Sequence, residues 1–474
     1  MASHFDVIVI GAGTAGTSVA GKLNEAGLSV AQVERWKVGG TCLNSGCDPT
    51  KTLLETAHTM HRARTADRLG LVIPRAAPDW AAIRSRVRRV IDTISDGDGD
   101  ANVRAEGIAL YKADARFVDA HTLELGPGRE RITADRIVLA TGAEEVRPTI
   151  EGLDEANIKT NVEIVDIDVL PRRLAIVGGG TIATEFAQMF ARLDVDVTII
   201  GSSGRIMPRE EPTLSDQLAD VLKADGVTML TSLTVKRIER RGSEHVLSAA
   251  SKDEPDTLRE AATADMILLA TGRKPVVDLG LDRAGVDFDE KSGVMVDEFQ
   301  RTSVAHIWAV GDCASAEKFT HVAHYEGERV AANIVAEVRG TGEVKPVAGR
   351  VIPWVTFTEP ELARVGMTEE QARAGGHDVV VTDLPMVDQP RAIETDQRSG
   401  AVRLVVARGS GQILGGHILS ARGGEMLAEI VLAMQHGLPV SAIAGTIHTY
   451  PTFGQAVLFA AQAAEEQRTA ARPE

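Results

Sequence analysis

A chain of 474 residues, 44% hydrophobic and 25% charged, exceeds what one hydrophobic core supports and points to roughly two to four globular domains. Its net charge of -16 argues against nucleic acid or an acidic membrane surface as the main partner, and no apolar run approaches the ~18 residues a spanning helix needs. Three cysteines in such a length do not make a secreted disulfide scaffold, so a cytoplasmic location is expected, where a close thiol pair reads as redox-active.

The first element is an apolar run at 5–10, which enters Gly11-Ala12-Gly13-Thr14-Ala15-Gly16 without a basic leader. It suits a buried strand better than an export signal. A helix then ends near Gly27, and a second strand from Ser29 to Val33 stops at Glu34. Glycines in this pattern allow a tight turn and close approach to a pyrophosphate, the helix N-terminus holds its charge, and the acid accepts a ribose hydroxyl. Gly11, Gly13, Gly16 and Glu34 are therefore candidate cofactor contacts.

Next comes Gly39-Gly40-Thr41-Cys42-Leu43-Asn44-Ser45-Gly46-Cys47-Asp48-Pro49-Thr50-Lys51. In one continuous helix the two cysteines would be about 7.5 Å apart along the axis and on different faces, so a disulfide requires a bend between them. Gly46 supplies the freedom for that bend, while Asp48-Pro49 reads as an N-cap and first helical residue. The helix would then start beside Cys47 and direct its positive end at a thiolate there, making Cys47 the more acidic sulfur. Two buried free cysteines, or half a zinc site, are the alternatives. Zinc needs about four ligands, and Cys313, the remaining cysteine, has no partner nearby, so no metal site is expected.

A buried-type strand ends in Ala140-Thr141-Gly142, where a chain can cross close to a nucleotide. The glycine pattern then returns as Gly178-Gly179-Gly180-Thr181-Ile182-Ala183, between a strand at 174–177 and a helix reaching about Leu193. Gly178, Gly180 and Ala183 are candidate contacts for a second dinucleotide. Where the first copy has Glu34, the second has Gly201 followed by Ser202, Ser203 and Arg205, groups that favour a 2′-phosphate and hence NADPH over NADH. A second strand ends in Ala270-Thr271-Gly272. The run 307–312 reads as a strand ending in Gly311 and Asp312, suited to a polyol chain, with a helix starting near Ala323. From about Pro346, strands (351–357, 379–382, 401–407, 412–418) alternate with helices (369–374, 426–436, 454–464) without a glycine fingerprint. This stretch is expected to be an α+β interface domain.

The order of fingerprint, Gly-Gly-Thr-Cys-x4-Cys-x-Pro-Thr-Lys, Ala-Thr-Gly, second fingerprint, Ala-Thr-Gly and Gly-Asp resembles the pyridine nucleotide-disulfide oxidoreductases across nearly the whole chain. Glutathione reductase, dihydrolipoamide dehydrogenase and mercuric reductase belong to that family. The resemblance implies an α/β fold with two Rossmann-like domains and a C-terminal α+β dimerisation domain. The expected bounds are 1–150 and 276–345 for FAD, 151–275 for NAD(P)H and 346–474 for dimerisation. It also implies a homodimer with FAD and NADPH, in which hydride passes from nicotinamide to flavin and electrons continue to a Cys42–Cys47 disulfide. Cys47 would be the sulfur against the flavin and Cys42 the one that meets substrate. Lys51 would lie by the flavin and pair with Glu185. Gly40, Thr41, Ala115, Thr141, Gly142, Gly272, Gly311, Asp312 and Ala323 complete the expected cofactor contacts.

Disulfide-reducing members usually end in His-Pro-Thr-x-x-Glu, whose histidine is the acid/base for the substrate thiol. This chain has His448-Thr449-Tyr450-Pro451-Thr452-Phe453-Gly454-Gln455, with tyrosine for that histidine and glutamine for the carboxylate. A phenol with a pKa near 10 is a poor proton shuttle at neutrality. Mercuric reductases are similar in placing tyrosine there, although the vicinal cysteine pair of their C-terminus is missing from this tail. The expected acceptor is therefore a metal ion, quinone or other small electrophile. A specialised low-molecular-weight disulfide, or a role tethered in a dihydrolipoamide-dehydrogenase-like complex, are the alternatives.

Overall fold

The apolar runs before each glycine fingerprint are buried on both faces, as strands of a parallel sheet are when helices cover them. The computed structural model describes residues 3–347 and 349–470. It divides into two units: Met1–Thr52, Arg84–Arg147 and Gly272–Gly349 form the first, and Leu53–Ile83, Pro148–Thr271 and Arg350–Glu474 the second.

In the first unit, β1 (Ser3–Ile10) lies between β2 (Val30–Val33) and the strand Glu130–Leu139, parallel to both. The strand Ile307–Ala309 adds in parallel to the C-terminal end of Glu130–Leu139, while the antiparallel pair Thr122–Leu125 and Ala115–Phe117 continues from its N-terminal half. Register aligns Ile10 with Val33 and Leu139, and Leu139 with Ala309. The residues that follow these strand ends, Gly11, Glu34, Ala140-Thr141-Gly142 and Gly311-Asp312, therefore emerge at one edge of the sheet, the carboxyl edge where open α/β sheets bind ligands. Three helices begin in this unit: α1 (Thr14–Glu25), α2 (Gly40–Asn44) and α3 (Cys47–Arg64), the last belonging to the second unit from Leu53 onward. A core of Val7, Val9, Val19, Leu23 and Val138 joins α1 to the sheet, and Val330 and Ile334 of helix Thr320–Arg339 complete it.

The second unit holds a five-stranded parallel sheet with Arg173–Val177 between Asp196–Ile200 and Met266–Leu269. Again the strand ends coincide: Val177 pairs with Ile200 and Leu269. A three-stranded antiparallel sheet, Leu233–Arg241, Glu244–Ser251 and Arg259–Ala264, shares its core. The remaining part is a five-stranded antiparallel sheet covered by helices that include Gln455–Thr469.

Several expected boundaries move. The apolar stretch near 351–357 yields Pro353–Thr356, and its antiparallel partner Glu361–Gly366 is an additional strand. That partner is nearly all buried, so it lacks the alternation that marks a half-exposed strand. The helix expected over 426–436 is split into Gly423–Met426 and Ala428–Gln435. The helix expected near Ala323 starts at Thr320, and the last one runs on to Thr469. Among the described residues no helix is long and apolar enough to cross a membrane.

Candidate functional site

Both fingerprint turns are built on one contact. Gly11 (φ +108°) leaves β1 so close to the next strand end that an ideal Cβ would lie 2.2 Å from the Ala140 carbonyl oxygen. Gly178 (φ +129°) stands in the same relation, at the same 2.2 Å, to Ala270. Each fingerprint thus abuts its own Ala-Thr-Gly segment through bare backbone. Gly13 and Gly180 are the N-caps of α1 and of Thr181–Arg192, and no side-chain cap hydrogen bond closes either helix start. The free first-turn N–H groups suit the phosphates of two dinucleotides. Ala183, fully buried, lies in the first turn of the second of these helices.

Glu34 is 8% exposed and already engaged. Oε2 accepts the Ala12 N–H at 2.7 Å and Oε1 the Trp36 N–H at 2.6 Å, so the carboxylate clamps the glycine turn while lone pairs remain for a hydroxyl. Gly40 backs onto Gly13, where an ideal Cβ would fall 2.7 Å from the Gly13 Cα; Thr41, half-buried, follows in α2. Gly16, buried in α1, is equally confined by the Gly11 carbonyl. Ala115 packs its methyl into the core, so only backbone is available there. Thr141 donates to the Val276 carbonyl at 2.7 Å, whereas Gly142 and Gly272 face open space. Asp312 follows Gly311 and pairs with Arg273 at 2.8 Å; Ala323 packs over Gly311. Burial pushes the Asp312 carboxyl up and the Arg273 charge pulls it back.

Between the cysteines the helix breaks as the spacing requires: α2 ends at Asn44, Ser45 leaves the helical region, and α3 begins at Cys47. The expected cap is displaced by two residues, from Asp48 to Gly46. The Gly46 carbonyl accepts the Thr50 N–H at 3.0 Å, so Gly46 opens the helix while Asp48 and Pro49 lie in its first turn. The need for glycine here is space rather than conformational freedom, because an ideal Cβ would sit 2.8 Å from the Thr41 carbonyl.

Cys42 and Cys47 are two free, half-buried thiols, each of which acts on the other's titration. Thr320, the first residue of its helix, touches both: its hydroxyl donates to the Cys42 sulfur at 3.1 Å and lies 3.2 Å from that of Cys47. The Cys47 thiol is lowered to about 6 by the Cys42 hydrogen bond above all, then by Thr320 and the charge of Lys51, against burial and the Asp48 carboxylate. Cys42 is pushed far above the thiol range by the proton it gives to Cys47, by burial and by the negative charge of Cys47. Burial also raises Asp48, opposed by Lys51. The balance favours Cys47 as the more acidic of the two sulfurs.

In the second unit, Glu185 is 2% exposed on helix Thr181–Arg192, and its Oε1 accepts the Phe357 N–H at 2.8 Å. After Gly201, Ser202 is exposed and Ser203 half-buried. Nη1 of Arg205 is buried without a hydrogen-bond partner among the described residues, an open donor where a 2′-phosphate is expected. Tyr450 is 70% exposed, and the amide oxygen of Gln455 is buried and equally unpartnered among the described residues. Sequence reasoning missed Thr320, Arg273 and Glu326. The last is fully buried and accepts the Gly311 N–H at 2.7 Å and the Ser315 hydroxyl, fixing the turn of Asp312.

Residues 5–327 match the family described as pyridine nucleotide-disulphide oxidoreductase, and residues 352–461 its dimerisation domain. The mercuric reductase of Staphylococcus aureus is 33% identical over 458 residues, covering 96% of this chain and 82% of that protein. The dihydrolipoyl dehydrogenase of Mycobacterium leprae is 34% identical over 462 residues, covering 96% and 97%. Among solved structures, the HOCl-induced flavoprotein disulfide reductase RclA from Escherichia coli matches with a TM-score of 0.84 at 28% identity, covering 96% of this chain and 99% of that one. Its Cu(II) complex matches with a TM-score of 0.86 at 28% identity, covering 98% and 100%.

Proposed function

We propose that this chain, which belongs to the pyridine nucleotide-disulphide oxidoreductase family, is an NADPH-dependent reductase that sends electrons through Cys47 and Cys42 to a soft metal ion. A quinone or another small electrophile is the next acceptor to test. The family places it among the flavoprotein disulfide oxidoreductases, with FAD and a pyridine nucleotide as cofactors, and its dimerisation domain supports a homodimer.

The observation that carries the reading is the inequality of the two sulfurs in a chain whose Tyr450 and Gln455 replace the usual proton-handling pair. A metal ion accepts electrons without a leaving sulfur that must be protonated, so it suits a site short of an acid. Relatives named as mercuric reductases, and a structural neighbour solved as a Cu(II) complex, point to the same class of acceptor.

FAD, when bound, supplies the carrier that takes hydride from the nicotinamide and hands an electron pair to the sulfurs. Gly11, Gly13 and Gly16 would admit its pyrophosphate to the start of α1, Glu34 would meet its ribose, and Thr41, Gly142 and Asp312 would lie along its course. Lys51 holds a positive charge one turn along α3 from Cys47. Gly178, Gly180 and Ala183 seat the nicotinamide dinucleotide, and Ser202, Ser203 and the open Nη1 of Arg205 receive a 2′-phosphate. Cys47, the more acidic sulfur, would face the flavin, and Cys42 would meet the acceptor.

NADPH oxidation by the FAD-loaded protein is the test, with mercuric ion, cupric ion and a quinone as acceptors and oxidised glutathione and lipoamide beside them. Acceleration by a metal ion that disappears in Cys42→Ser supports the reading. Turnover of a disulfide alone would transfer the assignment to thiol exchange, and no response to any acceptor would reject both.

A further inference from the structure

Two sulfurs of opposite character sit on one hydroxyl. Thr320 Oγ is 3.1 Å from Cys42 and 3.2 Å from Cys47, both within reach of a sulfur hydrogen bond. A hydroxyl carries one proton, so it serves one sulfur as donor at a time. Thr320 also opens a helix of 20 residues, Thr320–Arg339, so it and the start of α3 bring two helix N-termini to the pair. The charged groups that act on the sulfurs are Lys51 and Asp48, of opposite sign.

We propose that the Thr320 hydroxyl is a hydrogen-bond donor shared by the redox pair, able to turn between Cys47 and Cys42 and held on Cys42, the sulfur it donates to here, once that sulfur has lost its proton. The proposal deepens the electron path above and rests on it. An electron pair from NADPH, entering through the flavin, breaks the S–S bond and leaves two thiolates; Cys42 takes one proton from solvent, and Cys47 keeps its charge. For Cys42 to meet an acceptor, that proton must return to solvent, and the sulfur then carries a negative charge next to Cys47. The hydroxyl, which already donates to Cys42, is held there at that moment. Thr320 thereby gives Cys42 a hydrogen bond from within the same chain.

Thr320→Val removes the hydroxyl at nearly constant volume, and Thr320→Ser restores it. Alkylation of Cys42 by iodoacetamide is followed in the FAD-loaded protein after reduction by dithiothreitol, which needs neither NADPH nor an acceptor. Alkylation at pH 8 should slow about tenfold in Thr320→Val, the equivalent of one pH unit, and recover in Thr320→Ser. The thiolate-to-flavin absorbance should titrate at higher pH in Thr320→Val and return in the serine variant, while bound FAD per subunit stays constant. Rates and titrations within twofold of the parent protein in Thr320→Val, or a serine variant as impaired as the valine one, would overturn the proposal. A clear valine effect in protein whose sulfurs NADPH cannot reduce would leave Thr320 its role and refute the electron path instead.

Discussion

Nε2 of His448 lies 2.8 Å from Oε2 of Glu429, while its Nδ1 faces the Thr446 carbonyl at 3.0 Å. Both ring nitrogens meet acceptors, a pairing fully satisfied only when the imidazole is a cation. Burial resists that charge, but the carbonyl and the carboxylate outweigh it and hold the group above the ordinary histidine value. The histidine two places before Tyr450 is therefore engaged at both ring nitrogens within its own fold, where its cationic form is favoured.

Glu429→Gln should bring the His448 titration, followed by NMR, back toward or below about 6.5. Because the folded value is raised, the stability gained is full below the unfolded value and fades as pH rises through the folded one. The variant should thus be less stable by on the order of 1 kcal/mol below pH ~6, and nearly equal well above neutrality. A difference that is constant with pH would contradict the pairing.

For the thiolate, the sign is opposite. Cys47 is lowered to about 6, so its contribution to the reduced protein is complete above the unfolded cysteine value and drains away as pH falls toward 6. Lys51→Met should move the midpoint up and Asp48→Asn should move it down, since one charge aids the thiolate and the other opposes it. Iodoacetamide reactivity of Cys47 against pH in a Cys42→Ser background checks both directions.

The twin glycine contacts separate the two nucleotide sites. Gly11→Ala should yield protein that retains little FAD, because the added methyl meets the Ala140 carbonyl and positive φ adds strain, together about 2 kcal/mol or more. Gly178→Ala should leave the flavin bound and reducible by dithionite yet unresponsive to NADPH. Loss of flavin from both variants would show that the sites are not independent.

Removal of the open donor at Arg205 should be felt by one coenzyme alone. Arg205→Ala is expected to raise KM for NADPH about tenfold or more while KM for NADH changes less than about twofold. Equal losses with both would identify Arg205 as a support for the loop.

Much of this arrangement is local in sequence and was legible there. The strand, glycine turn, helix and strand of each nucleotide unit are contiguous, and the helix break demanded by Cys42 and Cys47 occurs at Ser45 and Gly46. What escaped depends on distant partners. Thr320 is one hydroxyl in an unremarkable run and acquires meaning only beside sulfurs 273 and 278 positions away. Arg273 reads as a basic residue after a strand until Asp312 is found opposite it. The start of α3 was misplaced for another reason: Asp-Pro is a strong capping signature, but the Gly46 carbonyl closes the first turn and leaves Asp48 inside it.

The hydroxyl that meets both sulfurs belongs to a segment encoded far downstream of them. A peptide copied from 39 to 51 and grafted onto a foreign scaffold would therefore carry both cysteines with Asp48 and Lys51, yet lack the one hydroxyl that reaches both sulfurs until a counterpart of Thr320 was built to face it.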